Sequence, residues 1–170
     1  GADFSSLNRS GQMAGPLLNA KAKKALIDHH INPAGEEFSA ILSTVQASST
    51  CELVFDLIRF SGLIPELPAN VAEAIYAGIM TDTGSFSYNC NGHHTHEAVA
   101  ELIKTGMDPA KVHQQVYGNN SFSKLKLLGY ALFDKLRILD QYKAAYIALT
   151  ADELKRYSYQ PGDTEGLVNY

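Results

Sequence analysis

Ala25-Leu26-Ile27-Asp28-His29-His30 is the stretch that decides the fold. An apolar run ends in a carboxylate and two imidazoles, the pattern of a buried strand at the point where it meets solvent. Open parallel α/β sheets bind ligands in the crevice beyond the carboxyl ends of their strands, where a rigid scaffold holds the loops. A polar triplet at that position is aimed at a ligand. Side chains alternate along an extended segment, so Asp28 and His30 point one way and His29 the other, unless the backbone turns within the triplet. The two histidines then have different jobs, one able to ligate a metal while the other meets a substrate.

Working outward, Lys23 to Ile27 reads as the strand and Ile31-Asn32-Pro33-Ala34-Gly35 as a loop by its turn residues. Phe38 to Val45 is rich in β-branched residues and predicts a second strand. Ser49 followed by Glu52 is a capping box, and Leu53, Leu57 and Ile58 continue at helical spacing to Gly62. Pro68 opens the next helix, with Val71, Ile75 and Ile79 on one stripe and Ala74, Gly78 and Asp82 on an adjacent one. Small residues on the second stripe let this helix pack close to a neighbour and carry Asp82 inward at its end. Thr83-Gly84-Ser85-Phe86 then breaks the pattern. A helix from His94 or Thr95 through Val99, Leu102 and Ile103 closes at Gly106, and Pro109 starts a short one to Tyr117. Ser121 to Leu136 predicts a longer helix with Leu125, Leu128, Leu132 and Leu136 buried. From Ile138 the pattern becomes strand-like through Tyr142 to Leu149, with a short helix over Thr150 to Tyr157 and a turn-rich stretch from Ser158 to Gly166.

The composition excludes several classes. A hydrophobic share of 45% in 170 residues belongs to a globular protein of one domain or slightly more. The net charge of -4, with basic residues in no long run, argues against wrapping duplex DNA. Cys51 and Cys90 are too few for a disulfide framework and fit a reducing, cytoplasmic setting. No apolar stretch is long enough for a membrane span, and no signal peptide precedes the first structured segment. The chain starts at Gly1-Ala2-Asp3-Phe4 without a Met, so further sequence is expected upstream. The strand over Lys23 to Ile27 looks apolar on both faces, as for a central parallel strand. Its bare edge should be covered by a partner chain, as in a homodimer, or by further residues.

Other features have ordinary explanations. His93, His94 and His96 invite a zinc reading, but no cysteine or carboxylate beside them is spaced to finish a shell, and a helix N-terminal loop accounts for them. His113 reads as a surface residue, Cys51 as a small buried hydrophobe, and Tyr88, Tyr130 and Tyr142 as core or interface aromatics.

Asp28-His29-His30, followed some fifty positions later by Thr81-Asp82-Thr83-Gly84-Ser85-Phe86, closely resembles the DHH phosphoesterase superfamily. Its branch of bacterial nanoRNase/pAp phosphatases and RecJ-like enzymes looks nearest. Asp3 with Arg9 and Gly11 resembles the second motif, the triplet the third, Ser48-Ser49-Thr50 with Glu52 the helix start after it, and Asp82-Thr83-Gly84 the fourth. Thr164 to Tyr170 looks like the opening of the family's smaller associated domain. The resemblance implies an α/β fold with a parallel sheet and flanking helices over 1–120, a linker helix over 121–137 and the start of a second, smaller α/β domain over 138–170. The first motif and the substrate loop of the small domain are not among these residues, so a complete site is not expected from them alone.

The resemblance further implies hydrolysis of a phosphoester with two divalent cations, Mn²⁺ or Mg²⁺, a role that carboxylates with one imidazole suit. Asp3 would bridge the metals, and His29 and Asp82 would complete one metal's shell. His30 would face the scissile phosphate as the catalytic donor or proton source, with Asp28 behind an imidazole to fix its tautomer. Thr83, Gly84 and Ser85 would offer backbone N–H or hydroxyl groups to the substrate, and Arg9 would pair with a phosphate. Without metal, Asp3 and Asp82 would repel one another, so the site should need cations to be ordered. The expected substrates are short single-stranded oligonucleotides or small nucleotides such as pAp and cyclic dinucleotides. Two alternatives stand beside this: a pyrophosphatase or exopolyphosphatase, and a non-catalytic nucleotide-binding fragment.

Overall fold

A 3-10 turn over Leu7–Met13, kinked at Gly11 where φ is +56°, leads into the short helix α1, Ala14–Asn19. The computed structural model describes residues 7–31, 37–118 and 120–167, with side chains from residue 10 onward. Strands β1 (Ala25–Asp28) and β2 (Ala40–Ser43) pair in parallel, Ala25 with Ala40 through Asp28 with Ser43. Both are shorter than the sequence pattern suggests. Within β1, Leu26 and Asp28 are buried while Ala25 is exposed and Ile27 half-buried, so one face is covered and the other partly open. That corrects the expectation of a strand buried on both sides. Ile41 and Leu42 of β2 are also exposed.

Helix α2, Thr50–Ser61, is capped at its start by Ser49, whose hydroxyl accepts the Glu52 N–H at 3.1 Å, and ends at Gly62 in the left-handed conformation. Helix α3, Ala69–Asp82, follows Pro68, and helix α4 spans His93–Lys104. Helix α5 covers Pro109–Tyr117. Phe55 of α2, Ile75, Tyr76, Ile79 and Met80 of α3, Leu102 of α4 and Val112 of α5 form one buried cluster. Burial of each such side chain is worth about 1.5–3 kcal/mol, and this cluster fixes the helices whose ends carry the candidate site.

The chain divides into two compact units, Gly1–Val116 and Tyr117–Tyr170. In the second, helix α6 runs over Phe122–Tyr130, and a π-helical turn, Ala131–Lys135, replaces the expected last turns. Leu136 already belongs to strand β3, Leu136–Leu139, which pairs antiparallel with β4, Ala144–Ile147. The buried residues of the helical stretch are Leu127 and Ala131, whereas Leu125 is exposed. The predicted stripe is only partly realised: Leu125 is exposed, Leu128, Leu132 and Leu136 are half-buried, and the regular helix ends at Tyr130, before the π turn and the strand that claims Leu136. Helix α7, Ala151–Arg156, begins with a complete capping box between Thr150 and Glu153. The Glu153 carboxylate also accepts from Lys135 Nζ at 2.8 Å and from the Tyr130 hydroxyl. Lys135, the Thr150 N–H and Tyr130 hold Glu153 down to about 2, while its carboxylate pushes Tyr130 up to about 12. Tyr130 stacks on Tyr157, but Tyr142 is exposed and belongs to no core. The architecture is α/β: a parallel sheet with flanking helices, then a smaller unit built on an antiparallel pair.

Candidate functional site

Asp28 ends β1 with its side chain fully buried. Its Oδ1 accepts the backbone N–H of His29 at 2.8 Å, the backbone N–H of His30 at 3.2 Å and the His30 Nδ1–H at 2.9 Å. Burial pushes the carboxyl group up, but the His30 imidazole and these backbone donors outweigh it and hold the group below the usual carboxylate range. One oxygen thus folds the triplet back on itself and assigns the proton of His30 to Nδ1. Oδ2 is buried with no hydrogen-bond partner. His29 turns elsewhere, placing Nε2 3.5 Å from Asp82 Oδ2 at the end of α3. The two rings meet edge to face at 4.4 Å. The two imidazoles point to different partners, His30 to Asp28 and His29 to Asp82.

After Asp82 the chain forms a left-handed turn. Gly84, Ser85 and Phe86 have φ of +53°, +56° and +63°, a conformation that costs a non-glycine residue about 1–2 kcal/mol. The turn is held from inside. Thr83 is buried, its hydroxyl donates to Ile79 O at 2.7 Å and accepts the Phe86 N–H at 3.1 Å. The N–H of Gly84 goes to Thr81 O and that of Ser85 to Met80 O at 2.8 Å. Tyr88 covers Gly84 so closely that a Cβ there would come 2.2 Å from the ring, and Phe86 lies between Tyr76 and His96. The N–H groups of Thr83 and Gly84 and the Thr83 hydroxyl are thus engaged within the turn. The Ser85 hydroxyl faces another way, 3.5 Å from His113 Nε2 on α5.

A second polar cluster supports the loops around this site. Buried Glu52 accepts from the Ser48 N–H at 3.2 Å, the Ser48 hydroxyl and the Thr95 hydroxyl at 2.7 Å. Its carboxylate thus reaches one residue beyond the cap that the capping box predicts. Asn89 Nδ2 donates to Ser48 O at 3.3 Å, linking the stretch after the left-handed turn to the loop after β2. His93, His94 and His96 lie in the first turn of α4 rather than in a loop before it. His94 Nε2 is 2.8 Å from Asp56 Oδ2 and 3.9 Å from Glu52 Oε1. The hydrogen bond to Asp56 raises its pKa above the usual imidazole value against the opposing effect of burial. Sequence spacing missed this carboxylate because it lies 38 residues away on another helix.

Among the described residues, no group of three or more His, Cys, Asp and Glu side chains could hold a metal ion. His29 and Asp82 are the ligand candidates brought together. Their 3.5 Å separation is near the roughly 3 Å between adjacent ligands of a six-coordinate ion whose bonds are about 2.1 Å, and an imidazole with a carboxylate suits Mn²⁺. The pair fits a divalent cation. Asp3 and the side chain of Arg9 lie outside the described residues. No described helix is long and apolar enough to cross a membrane.

No family model matches the chain. It is 33% identical over 146 residues to the probable bifunctional oligoribonuclease and PAP phosphatase NrnA of Streptococcus mutans, covering 84% of this chain and 44% of that protein. It is 33% identical over 142 residues to the cyclic-di-AMP phosphodiesterase GdpP of Geobacillus thermodenitrificans, covering 76% of this chain and 21% of that one. The crystal structure of an exopolyphosphatase-related protein from Bacteroides fragilis superimposes with a TM-score of 0.90 at 37% identity, over 98% of this chain and 48% of that chain. The chain belongs to the DHH phosphoesterase superfamily. It spans less than half the length of each of these relatives. The DHH triplet that names the superfamily is Asp28-His29-His30, and its geometry here is the one described above.

Proposed function

We propose that this chain is the phosphate-handling part of a DHH phosphoesterase, in which His29 and Asp82 hold a divalent cation and His30 meets the phosphate of a short oligonucleotide or small nucleotide. The observation that carries this reading is the approach of His29 to Asp82 beside a His30 whose tautomer is set by buried Asp28. With Nδ1–H given to Asp28, His30 works through Nε2. The carboxylate behind it stabilises the imidazolium, the form with both ring nitrogens protonated, from which Nε2 gives its proton to a phosphoryl or leaving oxygen and leaves the ring neutral. A bound cation supplies Lewis-acid stabilisation of charge developing on the phosphoryl group. Ser85 adds a hydroxyl donor for a part of the substrate other than the reacting phosphate, and Asp3 and Arg9 are assigned, by sequence resemblance alone, to the metal and the substrate phosphate.

Two described ligand candidates support capture of metal and ligand more strongly than turnover, so the chain by itself is read first as a binding half-site. What the relatives' names share is a phosphorus–oxygen bond, in diesters and monoesters for NrnA and GdpP and in an anhydride for the exopolyphosphatase-related protein. That last likeness covers nearly the whole chain, which favours polyphosphate as a second substrate reading. The division into a core over 1–120, a linker over 121–137 and an associated domain from 138 is likewise a proposal.

The test is a hydrolysis and binding panel in Mn²⁺: adenosine 3′,5′-bisphosphate, a dinucleotide, cyclic di-AMP and inorganic polyphosphate, each with the parent and His30→Ala. Nucleotide binding without hydrolysis establishes the half-site, and hydrolysis lost in His30→Ala establishes the enzyme. A chain that neither binds nor cleaves any of the four contradicts the proposal.

A further inference from the structure

The left-handed turn holds Ser85 in a backbone conformation that a serine rarely adopts, and it does so with the backbone N–H groups of residues 84 to 88 committed. Strain of this kind persists only where the surroundings over-determine it, and it concentrates where a side chain must be aimed. The Thr83 hydroxyl and the N–H groups of Gly84, Ser85, Phe86, Ser87 and Tyr88 all close inward. What the turn presents is the Ser85 hydroxyl, half-exposed, and the structure sets it 3.5 Å from Nε2 of exposed His113, 28 residues away on α5. A separation of 3.5 Å is long for a direct hydrogen bond. It is a good span for two donors to one shared acceptor: an oxygen about 2.8 Å from each closes the triangle.

We infer that Ser85 and His113 form an anion subsite that binds the non-reacting phosphate of a ligand carrying two phosphate groups. This rests on the phosphoesterase reading above, in which the reacting phosphate lies with His29, His30 and Asp82. Asp82 ends α3 three residues before Ser85, so the turn that follows one group positions the other. The Ser85 hydroxyl donates to one phosphate oxygen, and His113 donates to the same oxygen from Nε2. A nucleoside with a single phosphate would leave this pair unused, and a bisphosphate would fill both places. Arg9 and Gly84 are not needed for this assignment. His113 thereby changes from a surface residue into a specificity residue.

The experiment is calorimetric binding in Mg²⁺, with the 170-residue chain, of adenosine 3′,5′-bisphosphate and adenosine 5′-monophosphate to the parent, His113→Gln and Ser85→Ala. Each variant should weaken bisphosphate binding about tenfold, the loss of one hydrogen bond to a charged group, and leave monophosphate binding within about twofold of the parent. In ¹⁵N-labelled parent, the His113 Nε2 resonance should move on adding bisphosphate and stay on adding monophosphate. Equal losses for both ligands, no loss in either variant, an unmoved resonance, or a parent that does not bind the bisphosphate each overturn the subsite. Failure of the phosphoesterase reading is separate. It appears as a divalent-cation affinity that Asp82→Asn leaves unchanged, a quantity in which Ser85 and His113 take no part.

Discussion

Gly78 of α3 lies so near Cys51 of α2 that a Cβ at position 78 would stand 2.1 Å from Cys51 Sγ and 2.9 Å from its Cβ. The close approach of the two helices is therefore set by the absence of a side chain. Asp82 leaves α3 one turn later, and the same approach fixes where its carboxylate emerges relative to His29. Gly78→Ala should destabilise the first unit by about 1–3 kcal/mol through overpacking, despite a gain of up to about 1 kcal/mol in helix propensity. Adding Cys51→Ala should recover only part of the loss, because it removes Sγ and leaves a Cβ at 2.9 Å. Denaturant unfolding of the single and double variants checks this, and a single variant as stable as the parent would contradict the packing described.

Glu52 carries a larger load than a helix cap. It accepts from Ser48 and Thr95 at a buried position, so Glu52→Ala would strand several buried donors at about 1–3 kcal/mol for each unsatisfied group. The expected outcome is a loss of at least about 2 kcal/mol in urea unfolding. Thr95→Val, which removes one donor and keeps the shape, should cost less.

His94 gives the first unit a signed pH dependence. Its pKa in the folded protein is raised by Asp56, with Glu52 and Glu97 adding to the effect. A raised value means that the pair's contribution is fully present below the unfolded value of 6.5 and is lost as pH rises through the folded one. The melting temperature should fall from mildly acidic to mildly alkaline pH, and His94→Gln should flatten that slope. A parent and variant with parallel pH profiles would show that the pair contributes nothing.

Leu127 and Leu125 separate the observed helix register from the predicted one. Leu127 is fully buried and Leu125 is 49% exposed. Leu127→Ala should cost about 2–5 kcal/mol, whereas Leu125→Ala should stay within about 0.5 kcal/mol of the parent. Thermal unfolding of the two variants side by side decides the register.

Local pattern carried much of this fold. The apolar run into Asp28 gave the strand and its polar end, Ser49 gave the start of α2, and the Gly78 stripe gave the close helix pair. The structure departs from the sequence reading where the deciding contact is distant or the backbone leaves regular spacing. Thr95 and Asp56 meet Glu52 and His94 across 43 and 38 residues, and no periodicity encodes such pairs. The π turn over Ala131–Lys135 shifts register inside a stretch of leucines that looks uniformly helical. Ser85 and Phe86 adopt positive φ although neither residue type announces it. The distant His113 could have been found only by knowing that α5 passes the turn.

The approach of His29 to Asp82 is the relationship on which the functional account stands, and Mn²⁺ titration calorimetry tests it most directly. The parent should bind Mn²⁺, and Asp82→Asn and His29→Gln should each weaken binding by at least about tenfold, in line with the loss of a direct ligand, while His94→Gln leaves it unchanged. A parent that takes up no Mn²⁺, or an Asp82→Asn variant that binds it as the parent does, would contradict the account.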